Sequence, residues 1–119
     1  MIETEAMSPC ALKIVPSKKL TEADFQGLAL RVDPLIKKCG RVRLLVDVSG
    51  FHGWESYAAF QAHASFIKNH QRNVERLAVI VSHDWQNWVV DVARMFLHPE
   101  ARAFHKSREE EAQRWLVGV

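Results

Sequence analysis

The run Arg41-Val42-Arg43-Leu44-Leu45-Val46-Asp47-Val48 decides the fold. Its apolar residues follow one another too closely for a strand with one wet face, so it reads as a central strand covered by helices on both sides. A second continuous run, Leu77-Ala78-Val79-Ile80-Val81, sits between Arg76 and Ser82-His83-Asp84 and reads as another buried strand. Helical patterns separate these runs. Strands alternating with helices give βα units, which pack as parallel strands with crossover connections.

Working outward towards the N-terminus, residues 11–15 read as a strand stopped by the polar turn Pro16-Ser17-Lys18-Lys19. Thr21 opens a helix, with Glu22 and Asp24 at the positive end of its dipole. Phe25, Leu28, Val32, Leu35, Ile36 and Cys39 form one apolar face, and Gly40 supplies the stop. Pro34 lies inside this pattern, so a kink near residues 30–34, or two short helices, is expected. The first seven residues are read as an edge strand, antiparallel to residues 11–15.

Towards the C-terminus, Ser49-Gly50-Phe51-His52-Gly53 reads as a loop leaving the central strand. A helix beginning at Glu55 or Ser56 would carry Tyr57, Phe60, Ala64 and Ile67 on one face. Asp84 caps a further helix with a broad stripe of Trp85, Trp88, Val89, Val92, Ala93, Phe96 and Leu97, ended by His98-Pro99. Residues 101–104 form a short strand, and residues 109–116 a last helix with Ala112, Trp115 and Leu116 inward. The fold class is therefore α/β: one domain over residues 1–119, with a mixed, mostly parallel sheet of about four or five strands and about four helices.

Composition narrows the function classes. With 48% hydrophobic and 25% charged residues, the 119-residue chain is that of a folded globular protein, not a disordered or coiled-coil one. A net charge of +2 is too small to imply nucleic acid or an anionic membrane as partner. No apolar stretch approaches the roughly 20 residues that span a bilayer, and the acidic start Met1-Ile2-Glu3-Thr4-Glu5 is unlike an export leader. Cys10 and Cys39 lack C-x-x-C spacing and are expected to be reduced, which makes the cytoplasm the default address.

The order of elements, with Lys19-Leu20-Thr21-x-x-Asp24-Phe25, Arg41-Val42-Arg43-Leu44-Leu45-Val46, Phe51-x-Gly53-Trp54, Glu75-Arg76-Leu77-Ala78-Val79-Ile80 and Trp85-x-x-Trp88, resembles the SpoIIAA-like family. These small bacterial proteins share a STAS-like and CRAL-TRIO-like fold. The resemblance covers nearly the whole chain and rests mostly on packing residues, so it speaks for fold more than for chemistry. It implies either a regulatory, partner-binding domain or a holder of lipids and other apolar ligands. In the anti-sigma-factor antagonists of the STAS group, a similar loop carries Asp-x-Ser and then an Asp-Ser-Ser-Gly run whose second Ser takes a phosphate. Here Asp47 and Ser49 match, but the later run reads Glu55-Ser56-Tyr57-Ala58. Tyr57 stands in the acceptor position and Ser56 one residue early, where it reads as a helix cap.

In open α/β sheets ligands gather beyond the carboxyl ends of the strands. That rule selects Ser49, Phe51, His52, Trp54, Ser56, Tyr57, His83, Trp85, Trp88 and Phe96 as ligand- or partner-binding residues, with His105 nearby. The pair His83-Asp84 has the form of a carboxylate tuning an imidazole, but no nucleophile motif accompanies it, so no catalytic residue is assigned. The histidines at 52, 63, 70, 83, 98 and 105 stand singly, and His63 and His70 read as surface residues. No metal and no cofactor are expected. The leading reading is a non-catalytic regulatory or protein-interaction module. A carrier of a small apolar or lipid ligand, with Trp54, Tyr57, Trp85, Trp88 and Phe96 lining a pocket, is the alternative. An enzyme using His83 and Asp84 is the third. A homodimer is compatible with the aromatic-rich surface.

Overall fold

The computed structural model describes residues 1–82 and 100–118. Strands β1 (Ile2–Ser8), β2 (Ala11–Pro16), β4 (Val42–Asp47), β6 (Val74–Val81) and β7 (Glu100–His105) form a five-stranded sheet in the order β1-β2-β4-β6-β7. β1 runs antiparallel to β2. The pairs β2–β4, β4–β6 and β6–β7 are parallel. The sheet is thus mixed, and β4 lies at its centre as its apolar run requires. Leu44 is in register with Leu77 and Val46 with Val79, so the two continuous apolar runs are neighbours with their carboxyl ends on one edge.

Both faces of the sheet are covered. On one face Leu12, Ile14, Val42, Leu44 and Val74 pack with Leu28 and Val32 of α1 (Glu22–Cys39) and with Phe66 of α2 (Tyr57–His70). On the other, Leu45, Ala78, Ile80 and Phe104 pack against Ala112 and Leu116 of α3 (Glu109–Val117). Three α-helices lie among the described residues, where about four are expected; the expected Trp85–Trp88 helix falls outside the described residues. Among the described residues no helix is long and apolar enough to cross a membrane.

Four expectations are corrected. Helix α1 runs unbroken through Pro34 and does not divide in two. The carbonyl that proline leaves without a donor belongs to Leu30, which is 77% exposed, so the unmade bond lies on the solvent side of the helix and not in the core. The polar turn after β2 contains a short strand, β3 (Lys18–Leu20), which pairs in parallel with β5 (Phe51–Trp54) inside the supposed loop. The ribbon forms because Lys18 N–H reaches Gly50 O and Glu55 N–H reaches Leu20 O, and because Gly53 supplies φ +101°, which other residues rarely adopt. Helix α2 turns Ala59, Ala62, His63 and Phe66 inward and leaves Tyr57, Phe60 and Ala64 exposed. Finally, Cys10 and Cys39 are joined in a disulfide. It ties the β1–β2 turn to the end of α1, where the sequence reading has two reduced thiols.

Candidate functional site

The carboxyl edge of β4 carries a buried charge. Asp47, the last residue of the strand, is 4% exposed and is the one buried polar or charged residue among those described. Its Oδ1 accepts hydrogen bonds from the Ser49 amide at 3.0 Å and the Ser49 hydroxyl at 2.6 Å. Its Oδ2 accepts from Lys106 Nζ at 2.9 Å, and the same ammonium donates to Ser49 Oγ at 3.0 Å. Burial would push the Asp47 carboxyl up, but the bonds from the Ser49 hydroxyl, Lys106 and the Ser49 amide outweigh it and hold the group below the usual carboxylate range. A carboxylate so satisfied is a brace: it locks the exit from β4 and pins the turn after β7 to it. Every polar atom of the cluster is occupied, so the arrangement offers no free base.

Next to this brace stands an aromatic group built on the ribbon and the start of α2. The Ser56 hydroxyl accepts from the Ala59 amide at 3.1 Å and so caps α2, which sets Tyr57 in its first turn. Trp54 packs edge-on against Phe51 at 5.3 Å and against Phe60 at 4.9 Å, and Tyr57 stacks on Phe60 at 6.3 Å. Beneath them Trp54 Nε1–H donates to His63 Nδ1 at 3.1 Å, and the imidazole stacks on Phe25 at 4.9 Å. His63 is therefore a neutral acceptor, and burial pushes its pKa down to about 4. The surface position expected for His63 is corrected, because Phe25 of α1 and Trp54 of β5 close over it. His70 also turns inward, with its Nε2 at 2.6 Å from Asp33 Oδ1 of α1 and its ring stacked on Phe66.

The sequence-selected residues thus divide. Phe51, Trp54 and Tyr57 come together through Phe60, which the sequence reading placed on one helix face with Tyr57 but did not select as a binding residue. Ser49 joins the Asp47 brace, Ser56 is a cap, and His52 is exposed on β5. His105 caps its own turn, with Nδ1 accepting from the Ser107 amide at 3.2 Å. His83, Trp85, Trp88 and Phe96, with Asp84, lie outside the described residues. Lys106 was missed, and no sequence signal marks it: it stands 59 residues from Asp47. Among the described residues no three His, Cys, Asp or Glu side chains gather as a metal site.

A family model described as SpoIIAA-like matches residues 11–117. The chain belongs to the SpoIIAA-like family. Among solved structures, this SpoIIAA-like chain is similar to an uncharacterized protein of the DUF3478 family with a SpoIIAA-like fold from Shewanella loihica PV-4. The two are 22% identical with a TM-score of 0.82, over 98% of this chain and 92% of the other. It is similar also to the anti-sigma factor antagonist SpoIIAA in its unphosphorylated form, at 10% identity and a TM-score of 0.71, over 100% of both chains. The Bacillus cell fate determinant SpoIIAA in the phosphorylated form matches at 9% identity and a TM-score of 0.53, over 93% of this chain and 97% of that one. No curated protein sequence matches the chain. At these identities the likeness establishes the SpoIIAA-like fold, while the site chemistry rests on the residues described above.

Proposed function

We propose that this SpoIIAA-like domain is a non-catalytic regulatory module that binds a protein partner through the carboxyl-edge surface of β5 and the start of α2. The observation that carries the reading is the exposure of a stacked aromatic pair: Tyr57 is 74% and Phe60 45% accessible. Large rings held rigidly at a surface lose little entropy on binding and serve as anchors in protein interfaces. Here the rigidity comes from Trp54 beneath Phe60, the Ser56 cap and the Asp47 brace. Phe51 reaches the pair through Trp54, Ser49 and His52 are proposed to extend the surface along the segment that precedes it, and the anti-sigma factor antagonist sharing the fold supports a partner of the same general kind. The cytoplasmic address is part of the same proposal, although the Cys10–Cys39 disulfide removes the reduced thiols from which the sequence reading drew it.

The surface works without a serine switch. The Ser56 hydroxyl is already engaged with the α2 amide, and the residue beside it, Glu55, would repel a phosphate. The carrier reading draws on Trp85, Trp88 and Phe96, and no described observation favours it.

Affinity capture on immobilised wild-type protein, compared with the Tyr57→Ala/Phe60→Ala double variant, tests the proposal. A partner bound by wild type should lose on the order of tenfold or more in affinity for the variant. Tyr57 is largely exposed, whereas Phe60 packs on Trp54, so the double variant should lose only about 1–2 kcal/mol of stability and remain folded under the capture conditions. Equal capture by the two proteins would remove this surface from consideration. Sedimentation of the wild type alone separates a second copy of the chain from a different partner.

A further inference from the structure

At the opposite, amino edge of the sheet lies an open cavity of about 570 Å³, lined among others by Cys10, Cys39, Arg41, Arg43, Glu75 and Gly118. The disulfide forms part of its wall. Neither cysteine belongs to a core cluster, and neither is fully buried. We propose that the Cys10–Cys39 disulfide is a reversible exchange site for small thiols that carry carboxylates. Structural cross-links are usually shielded by what they stabilise, whereas this one faces a space large enough to admit a tripeptide-sized thiol.

The charges around the cavity choose the reagent. Arg43 is spoken for: its guanidinium donates to Leu116 O at 2.7 Å and Gly118 O at 3.2 Å and pairs with Glu75 at 3.4 Å. Arg41 has no ion pair among the described residues and stands at the cavity with its charge uncompensated by them. A carboxylate on an incoming thiol therefore meets a cation beside the bond it attacks.

The direction of attack follows from the two cysteines' surroundings. Cys39 is the last residue of α1, where the negative end of the helix dipole disfavours a thiolate; the exposed Lys37 and Lys38 offset this only through solvent. Cys10 lies in the turn between β1 and β2, its carbonyl accepting from the Arg43 amide at 2.9 Å, and so stands at no helix C-terminus and escapes that penalty. An incoming thiolate attacks Sγ of Cys39 and forms a new S–S bond. The Cys10–Cys39 bond breaks, its electron pair leaves on Cys10 Sγ, and that thiolate takes a proton from water. A second thiolate then attacks the sulfur of the bound thiol, releasing the small disulfide and Cys39, which is protonated in turn. Two thiols are oxidised to one disulfide as the protein disulfide is reduced to two thiols. The small disulfide drives the reverse.

The test exposes the folded chain to reduced glutathione, which is anionic, and in parallel to cysteamine, which is cationic, with intact-mass and peptide mapping as readout. Glutathione should form a mixed disulfide on Cys39 and then the dithiol, and oxidised glutathione should restore the bond. The ratio of the glutathione rate to the cysteamine rate cancels differences in the thiols themselves. It should fall about fivefold in Arg41→Glu, less in Arg41→Gln, and in wild type on adding salt. A bond that resists both thiols until the protein is unfolded in denaturant would overturn the proposal. So would a ratio insensitive to Arg41 and to salt, or an adduct confined to Cys10.

Discussion

His63 shows how much one side chain depends on distant neighbours. Its Nδ1 must be unprotonated to accept from Trp54, and burial favours the same neutral form. In the unfolded chain its pKa returns to roughly 6.5. Between that value and about 4 the unfolded state holds the extra proton, so stability falls as pH falls through this window. Urea unfolding should show wild type losing up to roughly 2 kcal/mol between about pH 7 and pH 5 through this group. His63→Gln should lack that part of the slope; an unchanged slope would mean that the imidazole is solvated. The sequence placed His63 on the surface because nothing within a few residues covers it. Asp47 is half legible in the same sense. The Asp-x-Ser turn is local, with the Ser49 amide reaching back two residues, whereas Lys106 arrives only when β7 docks beside β6.

Among the elements, α1 was readable nearly to the atom. Thr21 Oγ1 accepts from the Asp24 amide at 3.2 Å while the Asp24 carboxylate accepts from the Thr21 amide at 2.8 Å. At the other end the Gly40 amide reaches Ile36 O at φ +78°. The proline misled because its cost was judged without knowing which face it occupied. Since Pro34 and Leu30 both face water, Pro34→Ala should restore a backbone bond without disturbing packing. A gain of roughly 1–3 kcal/mol in thermal or urea unfolding is expected, and a loss would show that the proline shapes the helix for its neighbours. Helix α2 misled differently. Its apolar and aromatic residues are spread around the axis, so periodicity alone permitted more than one inward face; contact with α1 and the ribbon selected Ala59 and His63. The β3–β5 ribbon has no periodic signal, being three and four residues long and held by pairing between segments about thirty residues apart.

Over the whole molecule, the disulfide adds a constraint that the two-sided core does not supply. It closes a loop with a sequence separation of 29, for which the chain-entropy relation gives about 3.5 kcal/mol of stabilisation. The Cys10→Ser/Cys39→Ser variant should remain folded, because Leu45, Ile80 and Leu116 stay fully buried, while its unfolding free energy drops by about 2–4 kcal/mol. Equal stability of the variant would mean that the link is not formed in solution. What the sequence alone determined is the layered α/β architecture: continuous apolar runs can only be interior strands, and capped amphipathic segments between them can only be their covers. What the tertiary structure decided is everything made by residues far apart in the chain, namely the disulfide, the Lys106–Asp47 brace, the buried His63 and the exposed Tyr57–Phe60 pair. Periodicity reports how a residue relates to neighbours a few positions away. Which partner a side chain meets across the fold depends on how the layers dock.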